Sequence, residues 1–245
     1  MIKYYKKKSF LQIEECWFDG AITFKDLFSL KVIYHNKNSP SFWGIKETTH
    51  TLELDLEQEK EQILANFSKA YRQQIRKAEE EGITVESTSN IEEFVAFFNE
   101  FASKKGTYST SRQRILEKKN YLQMSFAKHQ NSVIAAQSFL VDEDKKIIRH
   151  YQTANKRFDD SLNKNFVGYA NKFLLVTNIM RFKEEGYKIF DFGGYAANTT
   201  DPSLLGINNY KLKFGGTVVE CKDYYSIPFW LMRKTAKLFG LNGTV

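Results

Sequence analysis

Proline is almost missing from this chain, with three residues, at 40, 202 and 228, among 245. No Pro-rich linker marks a domain boundary, and no repeat or low-complexity segment does so either. Cysteine is as scarce. Cys16 and Cys221 stand far apart in sequence, which argues against a disulfide framework and predicts two small buried thiols. The four histidines, at 35, 50, 129 and 150, make no paired-ligand spacing, so no metal site is expected. No apolar run approaches the ~20 residues of a membrane span. The basic N-terminus MIKYYKKKSFLQIEECW leads into no hydrophobic signal core and no small-residue cleavage site, so the expected location is the cytoplasm. There is no Gly-x-Ser-x-Gly elbow, and neither Cys has a nucleophile's setting.

Aromatic residues, by contrast, are plentiful. The chain holds 21 Phe and 13 Tyr within a 42% hydrophobic composition, enough for a packed core. Lys and Arg number 36 against 29 Asp and Glu, and the resulting +7 suits an anionic partner as well as plain solubility. Short strands and turns are expected as far as THTLELDL, where Leu52, Leu54 and Leu56 alternate with acidic residues. The pattern then predicts a helix over Gln58–Glu81, a strand at ITVEST, and a helix capped by Asn90 with Glu93 three residues on. A further helix is expected over Arg112–His129, then a hairpin around the DEDK turn. A long helix over Lys164–Glu185 comes next, with Phe166, Tyr169, Ala170, Phe173, Leu174, Thr177 and Met180 on one buried face. YKIFDF and TVVECKDYYSI read as strands, with a short helix between them. The fold class is α/β in the α+β sense: a mixed central sheet flanked by helices.

Three stretches could carry chemistry. On the helix containing SKAYRQQIRKA, Leu64, Tyr71, Ile75 and Ala78 share one side, and Lys69, Arg72 and Arg76 fall nearly opposite. That is either a solvated charged face or a rail for a phosphate-bearing ligand. NKNFVGYAN opens the long helix, where free amides suit an anion; the plain alternative is a helix start capped by Asn163 or Asn165. FDFGGYA puts Asp191 between two Phe on an apolar strand, where a carboxylate is costly unless partnered. GINNYKLKFGG lies just beyond it.

Together, RQQIRKAEEEGITV, FKEEGYKIFDFGG and GINNYKLKFGG resemble the FemABX branch of the GNAT superfamily of acyltransferases, over about residues 60–220. The resemblance implies one GNAT-like domain over 86–216, a truncated GNAT-like N-terminal half over 1–85, and a segment 217–245 that completes that half. Asn165, Gly168 and Ala170 are similar to the superfamily's Gln/Arg-x-x-Gly-x-Gly/Ala pattern, with Asn for Gln or Arg. On that likeness Asn165, Phe166, Val167, Gly168, Tyr169 and Ala170 would bind the coenzyme A pyrophosphate. Tyr210 ahead of Phe214-Gly215 resembles the Tyr that protonates a departing CoA thiolate, although Phe and Gly stand in swapped order. Lys211 matches the FemABX Lys thought to stabilise charge.

The implied function is transfer of an acyl group from acyl-CoA to the amine of a nucleotide-linked amino sugar, as in surface-polysaccharide synthesis. The amine attacks directly, and backbone N–H groups over His150–Thr153 polarise the carbonyl. His150 and Asp191 are the candidate bases. Arg72, Arg76, Tyr151, Tyr195 and Asn198 are the candidate acceptor contacts. One rival is a FemABX-type aminoacyl-tRNA-dependent transferase acting on a peptidoglycan precursor. Another is a non-enzymatic basic module that binds membrane or protein through IPFWLMRKTAKLFGLNG, which could equally pair two copies in a homodimer.

Overall fold

The computed structural model describes residues 1–8, 10–37 and 43–238, without the side chains of Lys8 and Lys237. Contacts group the chain into two compact units. Unit 1 is Met1–Thr51 with Val218–Val245, and unit 2 is Leu52–Thr217. The motifs predict a boundary after residue 85, whereas residues 52–85 belong to the same unit as 86–217.

Unit 1 is a mixed sheet with one helix. Strands β1 (Ile2–Lys8) and β2 (Leu11–Trp17) form an antiparallel pair, and β3 (Lys31–Asn36) runs parallel to β2. Strand β10 (Thr217–Tyr225) joins β3 antiparallel, and the first part of β4 (Ile45–Asp55) lies beyond it. Helix α7 (Ile227–Leu238) buries Phe229 beside Ile13, Val32 and Tyr225. Its start is fixed by Ser226, whose Oγ donates to Ser29 O at 2.6 Å and accepts from Lys31 N at 3.0 Å. Ile227, Leu231 and Leu238 stay exposed on α7; Phe239, counted in the same tail, lies outside the described residues. Both cysteines are free and buried.

Unit 2 holds strands β5 (Thr84–Thr88), β6 (Leu122–His129), β7 (Ser132–Asp142), β8 (Ile147–Asn155) and β9 (Ile189–Gly194). They lie in the order β9-β8-β7-β6-β5, with the end of β4 beside β9. All these pairs are antiparallel from β5 to β8, and β8–β9 is parallel. The strands alternate faces, so each side of the sheet gets its own cover. Phe126, Ala136 and Ala154 face α3 (Ile91–Lys105), while Ala127 and Ala135 face α5 (Lys164–Glu184). A third cluster joins Phe139, Phe182, Phe190, Phe192 and Phe214, all nearly inaccessible. Burying each such ring is worth roughly 2–3 kcal/mol. The result is the mixed sheet flanked by helices that the sequence predicts. Among the described residues no helix is long and apolar enough to cross a membrane.

Three local expectations change. The single helix over Gln58–Glu81 is two: α1 (Lys60–Asn66) and α2 (Lys69–Glu80). Phe67 is extended between them and buries its ring against Phe214, and Ser68 caps α2 through Tyr71 N. The helix over Arg112–His129 stops after one turn as α4 (Arg112–Leu116). The remainder becomes β6, paired on both edges, with Met124 and Phe126 in the α3 cluster. Helix α5 stands where it is expected, but its buried face is rotated. Val167, Leu175, Val176, Ile179 and Phe182 are buried with Ala170 and Leu174, whereas Phe166, Tyr169, Phe173 and Met180 are only partly covered.

Candidate functional site

The parallel pairing of β8 and β9 runs Ile147↔Ile189, Ile148↔Phe190, Arg149↔Asp191, and stops there. On its other edge β8 continues along β7, but the register slips. Ser138 matches Gln152 and Phe139 matches His150, so Tyr151 has no opposite residue. A bulge of this kind bends a strand and re-aims its groups. Two parallel strands therefore part company at Arg149 and Asp191, and residues 150–155 of β8 run on past the last pair matched with β9. Backbone N–H groups at such a fork can polarise a carbonyl.

The fork is held by charge. Asp191 is fully buried; its Oδ2 accepts from Arg149 Nη1 at 2.5 Å and its Oδ1 from Gly193 N at 2.7 Å. This is the partner that a buried carboxylate requires. Gly193 turns with φ +84°, and a Cβ there would lie 3.8 Å from Lys211 Nζ and 3.7 Å from Arg149 Nη2. Lys211 comes from α6 (Pro202–Leu212), capped by Asp201, and donates to Gly194 O at 2.5 Å. Burial, and then the Arg149 charge, push Lys211 down to about 8 against the pull of Asp191. Asn208, on the same helix, locks the turn after β9: it accepts from Ala196 N at 3.1 Å and donates to Ala196 O at 2.9 Å.

Tyr210 lies half-buried beside Tyr71 and Phe214. Burial raises its phenol well above the usual range, so it holds its proton at neutral pH and releases it less readily than a free phenol. Asn171 Nδ2 donates to its hydroxyl at 3.4 Å. Asn171 also accepts from Thr153 Oγ1 on β8 and from Gln137 Nε2 on β7. This chain of contacts ties Tyr210 to the strand beyond the fork.

The other predicted residues fare unevenly. His150 lies against Phe139, and its Nε2 is buried without a hydrogen-bond partner. Burial, with Lys211 and Arg149 nearby, pushes the imidazole down to about 3, which makes it a weak base. Asp191, the other predicted base, has both oxygens engaged. Neither geometry suits proton abstraction. Arg72 closes the end of α1 with one nitrogen, Nη1 donating to Ala65 O at 2.9 Å and Phe67 O at 2.5 Å, and the residue is otherwise exposed. Arg76 is exposed and lines a hollow of about 430 Å³ with Gln73, Lys77 and Tyr169. Tyr151 sits under Lys118 Nζ at 5.8 Å, beside α4. Tyr195 is half-buried, and Asn198 is exposed with φ +57°.

At the start of α5, Asn163 is the cap. Its Oδ1 accepts from Asn165 N at 2.8 Å and Phe166 N at 3.4 Å, and Val167 N donates to Asn163 O. The amides of Asn165, Phe166 and Val167 are thus engaged within the helix start. Val167 and Ala170 point into the core, and Phe166 meets His129 edge-on. The glycine at 168 has room, since a Cβ there would meet only Lys172 Nζ at 3.7 Å.

Arg149, Asn171, Asn208, Lys172 and Tyr71 escape sequence reasoning as site residues. Tyr71, Asn171 and Asn208 stand within the stretches singled out from the sequence, whereas Arg149 and Lys172 stand outside them. A larger cavity of about 500 Å³, lined by Ser87, Ile115, Lys119 and Met124 among others, holds none of the candidate residues.

A FemAB family model matches residues 22–115. That is less than half of the chain. Comparison with the curated proteins gives no match. Among solved structures, a crystal structure of FemX aligns with a TM-score of 0.64 at 12% identity, over 94% of this chain and 85% of that one. The structure of L-PGS from Bacillus licheniformis aligns with a TM-score of 0.61 at 13% identity, over 99% and 86%. At such identities the likeness is one of fold, and it is a GNAT-like fold that the chain shares.

Proposed function

We propose that this protein transfers an aminoacyl group from aminoacyl-tRNA to the amine of a peptidoglycan-type precursor, as FemABX-type enzymes do. The observation that carries this reading is the parted β8–β9 pair with the Lys211 ammonium at its mouth. The match to the FemAB model and the FemX-like fold support aminoacyl transfer over the nucleotide-sugar reaction that the motifs suggest.

In the reaction, the acceptor nitrogen attacks the ester carbonyl carbon. The C–N bond forms, the C–O bond to the ribose breaks, and the leaving oxygen takes up a proton as the amine loses one to water. Backbone amides of β8 and the Lys211 charge stabilise the oxygen of the tetrahedral intermediate. Arg149 and Asp191 hold the fork and do not touch substrate.

Tyr210 favours a second reading. Its hydroxyl is held by Asn171, which also accepts from Thr153 on β8, and this position beside the strand past the fork, not its acidity, keeps acyl-CoA with a nucleotide-linked amino sugar in view. The deciding experiment offers the protein both pairs: charged tRNA with a nucleotide-linked muropeptide, and acyl-CoA with nucleotide-linked amino sugars. A muropeptide heavier by one residue in mass spectrometry supports the first reading. Free thiol release with the second pair alone replaces it. No product from either pair removes both.

A further inference from the structure

The sequence places a basic rail on α2, but the fold assembles a different set of cations. Lys172, on α5, puts its Nζ 5.1 Å from the centre of the Tyr71 ring and 5.8 Å from that of Tyr210. Lys213, just past the end of α6, puts its Nζ 5.7 Å from the Tyr71 ring. Lys213 is held there through its backbone, since its carbonyl accepts from Ser68 N at 2.8 Å. Two ammonium groups from different elements therefore converge on one tyrosine.

Neither has a carboxylate within ion-pair distance among the described residues. The first turns of α2 and α5 contain no acidic residue. Lys172 uses one proton on Gly168 O at 3.2 Å and is half-buried. Burial and the neighbouring Lys213 charge lower its pKa, which is the cost of an uncompensated pair of cations. Cation–π attraction to the ring offsets part of that cost, and a bound anion would offset the rest. Beside Lys213, Asn66, Ser68, Asn209 and Leu212 line a hollow of about 390 Å³. Of the phosphate-binding groups read from the sequence, Arg72 Nη1 and the Asn165 amide already bond within the protein itself.

We propose that Lys172 and Lys213, gathered around Tyr71, form a phosphate-binding site for the acyl donor. The word "donor" rests on the transfer reading above; the phosphate site does not. The phosphate is either a diester near an RNA 3′ end or the pyrophosphate of coenzyme A. In both cases it lies next to Tyr210, whose ring centre is 5.8 Å from Lys172 Nζ.

The test is calorimetric titration of the whole protein with inorganic pyrophosphate at low salt. Saturable binding is expected, weakened about tenfold or more in Lys172→Met/Lys213→Gln, since each charged hydrogen bond lost costs a factor of that order. Lys172→Arg should retain it, and Lys105→Gln, on α3, should leave it unchanged. Thermal melting of each variant separates lost binding from lost folding, and Lys213→Gln alone gives a second, milder form of the same loss. No saturable binding to the native protein overturns the site, as does equal affinity in a folded double variant. Repeating the titration with coenzyme A and with a short single-stranded RNA identifies the source. The ligand whose affinity falls in the double variant is the one held there, and an unchanged affinity for both overturns the assignment to the donor. No turnover is measured, so the site stands or falls separately from the proposed reaction.

Discussion

Arg149 and Asp191 are opposite one another at the last matched position of two parallel strands, and the guanidinium donates to the carboxylate at 2.5 Å. The ion pair thus sits at the point from which β8 and β9 separate. Both partners are buried, Asp191 fully and Arg149 to 8% exposure. Breaking such a pair from one side is costly, because the remaining charge stays in a poor solvent.

Asp191→Asn should therefore destabilise the protein by about 3–5 kcal/mol. Urea denaturation would measure it. Arg149→Met combined with Asp191→Leu should recover much of the loss, since a buried pair replaced by apolar groups is often neutral. If the single variant unfolds at the native midpoint, the pair does not hold the fork.

Lys211→Met should leave a folded protein whose kcat/KM is lower by about 10²–10³, the usual cost of removing one stabiliser of an oxyanion. The pH profile gives the sharper reading. Lys211 is depressed to about 8, so its cationic form dominates below pH 8 and is lost above it. A rate that needs the cation should fall as pH rises through about 8, and Lys211→Arg should move that limb to higher pH. Stability runs the other way. The folded pKa lies below the unfolded value of 10.5, so folding disfavours the charged form, and this group's contribution improves as pH rises from about 8 towards 10.5. Lys211→Met should accordingly melt higher than the native protein at pH 7.

Much of this architecture is legible in the amino-acid order alone. Asn90 with Glu93 announces α3, the DEDK turn announces the β7–β8 hairpin, and Asp191 is marked by its cost between two Phe. Its partner is not legible, because Arg149 lies 42 residues away and meets it only through strand register. The β6 segment reads as a continuation of the helix that RQRILEKK begins just before it, while the pairing with β5 and β7 that makes it a strand is non-local. The double glycine after Phe214, Gly215 and Gly216, has no role assigned from the sequence. In the fold both residues are packing devices: a Cβ on Gly215 would lie 2.9 Å from Asn66 Cβ, and one on Gly216 2.7 Å from Glu53 O. The α2 rail points correctly to a basic surface, but Arg72 is diverted to the carbonyls of α1.

Asn208→Leu tests whether the turn after β9 is positioned for function. The amide side chain makes two hydrogen bonds to Ala196 and is 4% exposed. Removing it unties the segment carrying Gly194, Tyr195 and Ala196, and leaves two backbone groups without their partner. A stability loss of about 1–3 kcal/mol is expected. Lys211 donates to Gly194 O in that segment, so KM should rise more than kcat falls. A change in melting temperature with steady-state constants untouched would make Asn208 structural only.

Tyr210→Phe distinguishes the two donors by mechanism. Burial raises the phenol's pKa and so weakens it as an acid, which makes its position beside Asn171 the ground for a donor role. A thiolate leaving coenzyme A would take the phenol's proton, and its loss should cost about 10²–10⁴ in kcat, the range for a positioned general acid. The leaving group of an aminoacyl ester is a ribose oxygen with a neighbouring hydroxyl of its own, so the same substitution should cost much less, about tenfold or below. The ring itself must remain, because it packs on Phe214 and Tyr71 and underlies Lys172; Tyr210→Ala should therefore lower stability where Tyr210→Phe does not. Single-turnover measurements with each donor, on variants whose melting is unchanged, read the chemical step directly. A large loss with acyl-CoA and a small one with charged tRNA gives Tyr210 the leaving-group role for thioesters alone. Equal, small losses with both reduce it to a packing residue whose hydroxyl serves only to hold Asn171.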